Sequence, residues 1–64
     1  MNAEDATVRF HIDSMKDMDR EQAEYYHKRL RDDMEKIMAR GVDDETTLLY
    51  RRIKDRLWKV ILDK

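Results

Sequence analysis

Glu24-Tyr25-Tyr26-His27 is the stretch of this chain whose residue types and spacing come nearest to chemistry. A carboxylate and an imidazole three residues apart share one face of a helix and can reach one metal ion, as the Glu-x-x-His pairs of di-iron carboxylate helices do. A complete site needs further donors. If the chain reverses at its single glycine, Gly41, then Glu24 lies level with Trp58, Lys59, Val60 and Ile61, none of which is a carboxylate. His27 is therefore expected to flank the core with its ring bonded to a neighbour, and no metal or other cofactor is expected.

His11 and Asp13 would share a face on a strand, where they could act as a weak metal or acid-base pair, but the third group such a pair needs is missing. No serine or threonine nucleophile stands beside a histidine, and Ser14 has the character of a cap or turn residue. Catalysis is accordingly not expected. Arg51, Arg52, Lys54, Arg56 and Lys59 form the densest basic cluster, interrupted by Asp55. Such a cluster could meet phosphates or an acidic protein, or serve only as a solvated helix face that complements the negative end of the helix dipole.

These residues must be positioned by helices. The chain has one glycine and no proline, and its apolar residues recur with helical spacing. Gly41 suits the left-handed turn that ends a helix, and Asp43 and Asp44 follow it as caps for the next. After the turn, Thr46, Leu49, Tyr50, Ile53, Leu57, Val60 and Ile61 fall in one arc, with Arg52, Arg56 and Lys59 opposite. Before it, Ala23, Tyr26, Leu30, Met34, Ile37 and Met38 make a matching stripe, flanked by the pairs Glu24 with Lys28 and Asp32 with Lys36. Asp17 or Asp19 could cap this first helix, and Asp19 followed by Gln22 matches a loose capping box. Leu30, Met34, Ile53 and Leu57 are the expected core between the two arms. Trp58 lies about 100° from the centre of its arc, beside Leu62 and beyond Ile61, so that end is apolar over more width than one partner helix covers. Trp58, Ile61 and Leu62 are therefore the expected partner-binding or dimer surface.

Residues 1 to 16 permit two readings. Thr7-Val8-Arg9-Phe10-His11-Ile12-Asp13 alternates polar and apolar like a half-buried strand. Val8, Ile12 and Met15 are also in helical phase with Tyr26, Leu30 and Ile37, so a helix capped by Asn2 could run on to Arg40, about 57 Å at 1.5 Å per residue. Phe10 outside that stripe, Asp19 inside it and the cap-like residues from Ser14 to Asp19 favour a separate element. The stretch from Thr7 to Asp13 resembles the strand of ribbon-helix-helix repressors, in which two chains pair one strand each and outward side chains enter the DNA major groove. The resemblance covers seven residues and implies Thr7, Arg9 and His11 as the outward set. The family's first helix has about three turns, whereas the segment from Asp17 to Arg40 could hold about six.

Composition sets the remaining bounds. A chain of 64 residues makes one small domain with a marginal core, for which self-association is the natural remedy. Without cysteine there is no disulfide or thiolate site, and with 14 basic against 15 acidic residues the chain lacks the charge of a non-specific nucleic-acid binder. No apolar run approaches a membrane span and the N-terminus does not read as a signal peptide, so a cytoplasmic protein without membrane contact is expected. The expected fold is all-α or mainly α: an N-terminal arm over 1–16, a first helix over 17–40, a turn at 41–43 and a second helix over 44–62, forming an antiparallel hairpin that dimerises into a four-helix bundle. The expected function is that of a small non-enzymatic interaction or regulatory protein that binds another protein as a homodimer. The alternative is a dimeric nucleic-acid-binding regulator that uses Thr7, Arg9 and His11, or the basic face of Arg52, Arg56 and Lys59.

Overall fold

The computed structural model describes residues 2–64, which form three helices and, among those residues, no strand. Helix α1 spans Ala3–Met15, α2 spans Arg20–Ala39 and α3 spans Asp44–Leu62. Each begins at a side-chain cap. Asn2 Oδ1 accepts the Asp5 N–H at 2.8 Å, Asp19 Oδ1 accepts the Gln22 N–H at 2.8 Å and Asp43 Oδ1 accepts the Thr46 N–H at 2.7 Å. These bonds satisfy amides that have no acceptor within the helix, and the acidic residues of each first turn meet the positive end of the dipole. At the end of α2, Gly41 has a φ of 97° and donates its N–H to Met38 O at 3.0 Å. An L side chain is strained in that conformation, which is why the lone glycine stands there.

The N-terminal arm is a helix, which decides between the strand and helix readings of Thr7 to Asp13. A single strand would leave a row of unpaired backbone groups, and no second strand is present among the described residues to pair with it; a helix satisfies its own. The burial pattern agrees. Val8 and Met15 are buried and Ile12 packs against the core, whereas Phe10, which a strand would have placed beside them, is 64% exposed. α1 stops at Met15, and Asp19 caps a new helix four residues later, so the arm is separate from α2.

α3 lies at the centre and takes two partners, α1 and α2, each of which packs mainly on it. Buried Val8, Met15, Ala23, Met34, Ile53, Leu57 and Ile61 make the core, with Leu30, Leu49, Tyr26 and Tyr50 packed at its edge. Between α2 and α3, His27 Nε2 is 3.1 Å from Lys54 O, and nearer the turn Met34 and Met38 share a crevice with Tyr50 and Lys54. Polar links tie α1 to α3 at both ends. Arg56 Nη1 donates to Asp5 Oδ1 at 2.7 Å and to Glu4 Oε1 at 3.5 Å, while Lys64 Nζ donates to the carbonyls of Met15 at 3.0 Å and Met18 at 3.1 Å. Ile37, in phase with the α2 stripe, is 44% exposed because it lies on the flank that neither α1 nor α3 covers. The ion pairs along α2 are Arg20 with Glu24 at 3.2 Å, Arg31 with Asp32 at 3.7 Å and Arg31 with Glu35 at 4.0 Å, in place of the Glu24–Lys28 and Asp32–Lys36 pairs that the spacing suggested.

The result is a slab of 34 × 26 × 15 Å with a radius of gyration of 11.9 Å. A compact chain of this length would have a radius near 11 Å. Its accessible surface of 4925 Å² likewise exceeds the roughly 4,400 Å² that a folded chain of 7.9 kDa exposes on average.

Candidate protein-binding surfaces

Two faces of the slab carry exposed aromatic side chains. The first is on α3. Trp58 is 40% exposed and Leu62, one turn further on, is 47% exposed. The inner side of the Trp58 ring leans on His27, centroid to centroid 5.1 Å at an interplanar angle of 46°. His27 is itself buried and is anchored through Nε2 on Lys54 O, so the indole is held from behind with its other face open to solvent. Ile61, expected from the sequence to belong to this surface, is fully buried in the hydrophobic core and is not exposed beside Trp58. Arg51 and Lys59 beside the patch, and Arg52 further round the helix, are exposed and make no ion pair among the described residues. Arg56 is different. Its guanidinium is engaged by Asp5 and Glu4, which raise its pKa, and it therefore holds α1 in place.

The second face is the outward side of α2, where Met18, Gln22, Tyr25, Tyr26 and Leu30 line an open groove of about 960 Å³ rimmed by Asp19, Glu21, Arg29 and Asp33. Tyr25 is 62% exposed. Arg29 is folded along it, with Nη1 donating to the Tyr25 hydroxyl at 3.4 Å and Cζ 6.0 Å from the ring centroid. The Tyr25 hydroxyl and the nearby Asp33 raise the Arg29 pKa. Sequence periodicity did not single out this face, because Tyr25 lies outside the core stripe. The signal was the adjacent pair Tyr25-Tyr26, one ring for each side of the helix.

The N-terminal set does not assemble. On a helix, residues two apart diverge by about 200°, so Thr7, Arg9 and His11 cannot present one surface. Thr7 Oγ1 donates back to Ala3 O at 2.8 Å, Arg9 is exposed, and His11 turns inward, its Nδ1 2.7 Å from Tyr26 Oη. Partial burial lowers the His11 pKa from its ordinary 6.5. The Glu24 and His27 pair is likewise divided, since Glu24 pairs with Arg20 and His27 bonds to α3. Among the described residues, no three His, Cys, Asp or Glu side chains are grouped to hold a metal, and no helix is long and apolar enough to cross a membrane. Compared with protein families, curated proteins and solved structures, the chain shows no significant match.

Proposed function

We propose that this is a small non-enzymatic interaction or regulatory protein that binds another protein through the exposed Trp58–Leu62 surface of α3 and acts as a homodimer. In the dimer, the α2–α3 pairs of two copies form a four-helix array flanked by the α1 helices. The observation that carries this reading is the mounting of Trp58: a large aromatic side chain, 40% exposed, backed by a buried histidine and neighboured by an exposed leucine. A tryptophan so held loses little freedom on docking, and tryptophan is enriched among the residues that dominate interface energies. The cations Arg51 and Lys59 beside it, which make no ion pair among the described residues, favour an acidic partner with an apolar socket.

The test is capture of the partner by cross-linking in cells that express the chain, with the wild type beside a Trp58→Ala/Leu62→Ser variant and with nuclease added to a parallel sample. The proposal expects one protein to be captured by the wild type, with or without nuclease, and lost in the variant. Capture that disappears with nuclease and falls steeply with salt would instead assign the Arg52 and Lys59 face to nucleic acid.

A further inference from the structure

The slab offers two exposed faces, and their charge patterns differ in a way that decides which can meet its own copy. A two-fold axis brings each residue near the axis against its own counterpart and exchanges the residues on either side. Around Trp58 and Leu62 stand Arg51, Lys54 and Lys59, with Asp55 and Asp63 as the nearby acids. Two such surfaces pressed together place cation on cation. On the outer face of α2, whose rim also carries Asp19 and Asp33, Glu21 and Arg29 stand one turn before and one turn after the exposed Tyr25 ring. When two such helices run antiparallel and cross at Tyr25, Glu21 of each meets Arg29 of the other.

We propose that the outer face of α2 docks a second copy of this chain, the two α2 helices antiparallel with Tyr25 at the two-fold axis and two symmetric Glu21–Arg29 ion pairs flanking it. This rests on the self-associating reading given above and assigns the self-contact to α2, which leaves the cationic Trp58 face free for a different, acidic partner. Three observations converge on it. The Arg29 side chain is already laid along Tyr25 by the hydroxyl bond and the ring contact, so little of its freedom is lost on pairing. Glu21 has no ion-pair partner among the described residues, so its charge is available. The groove floor of Met18, Tyr25, Tyr26 and Leu30 supplies the apolar centre that ion pairs alone do not.

A charge swap tests the geometry. Glu21→Arg and Arg29→Glu are both exposed, helix-compatible changes, and circular dichroism of each should match the wild type. In sedimentation equilibrium at about 50 µM the wild type should have twice the monomer mass of 7.9 kDa. Each single variant turns both attractive pairs into repulsive ones and should associate at least about tenfold more weakly. An equimolar mixture of the two should regain the dimer, because Glu21→Arg of one chain then faces Arg29→Glu of the other, and the double variant should dimerise alone. Single variants as dimeric as the wild type, or a mixture that stays monomeric, would overturn the proposal. If Trp58→Ala alone dissolved the dimer, the copy would sit on α3, which sinks this arrangement and leaves self-association standing. A wild type that is monomeric at several hundred micromolar would sink the self-association too, and would leave partner binding through Trp58 to its own test.

Discussion

The hydroxyl of Tyr26 lies 2.7 Å from Nδ1 of His11, and this bond joins two helices that otherwise rely on α3 to hold them together. The rings meet edge to face at 5.8 Å, and Phe10 adds a second edge contact to His11 at 5.3 Å. In the neutral imidazole Nδ1 can accept the hydroxyl proton, and partial burial favours that neutral form.

A pH dependence follows from that burial. Because the folded-state pKa of His11 lies below 6.5, the native chain binds fewer protons than the unfolded one just below that value. Its contribution to stability is present in full above pH 6.5 and is lost as pH falls through 6.5 to the folded-state pKa. Urea midpoints at pH 8 and pH 5 should show the wild type weaker at pH 5, and His11→Gln should reduce that difference. Asp43, held below its ordinary 3.8 by the side chain and backbone of Thr46, loses its contribution only below that range and does not confuse the comparison.

Lys64 is a remote clamp. Its ammonium is shared between the carbonyls of Met15 and Met18, where α1 ends and the turn to α2 begins, so the segment just past α3 supplies a C-terminal cap to α1. Lys64→Met keeps the stem and removes the charge, and should cost about 1 kcal/mol in denaturant unfolding. Amide exchange in the 16–19 turn should quicken with it. Unchanged exchange there would show that the turn holds itself.

The two apolar stripes differ sharply in value along their length. Leu57 is fully buried, so Leu57→Ala should cost about 2 to 5 kcal/mol. That is a large part of the roughly 3 to 10 kcal/mol expected for a chain of this size. Ile37 belongs to the α2 stripe by spacing yet is 44% exposed, and Ile37→Ala should stay within about 0.5 kcal/mol of the wild type. Equal losses at both positions would mean that the α2 flank is covered in solution.

At Gly41 the cost is one of backbone alone. A Cβ built there meets nothing within 4 Å, while φ is 97°. Gly41→Ala should therefore destabilise by about 1 kcal/mol, and Gly41→Asn by less, since asparagine tolerates the left-handed region. Thermal unfolding of the two variants side by side reads the difference.

Features set by neighbours in the chain were legible in the sequence. Asp19, Gly41 and Asp43 act through bonds to residues within three positions, so their roles could be read from residue type and order. Features set by distant segments were not. Alternation in Thr7 to Asp13 fits a strand only if another strand pairs with it, and among the described residues there is none, which nothing local to the segment reveals. Ile61 and Trp58 both lie on the apolar side of α3, and which of them is covered depends on how the other helices dock on it. Arg56 shared a face with Arg52 and Lys59 in the sequence, but Glu4 and Asp5, some fifty residues earlier, take its charge. Part of the outer groove of α2, Tyr26 and Leu30, belongs to the apolar stripe, but Tyr25 lies outside that stripe and faces out.

Trp58 is the chain's single tryptophan, so its fluorescence reports on the proposed binding surface without labels. The most direct test of the account is a titration of the chain with the partner recovered by cross-linking, reading Trp58 emission and its quenching by acrylamide in high salt. The account predicts a blue shift and protection from quenching as the indole enters an apolar socket, with no such change on dilution of the chain alone, because self-contact through α2 leaves Trp58 where it is. A complex that forms with the emission maximum and quenching of Trp58 unchanged would contradict it.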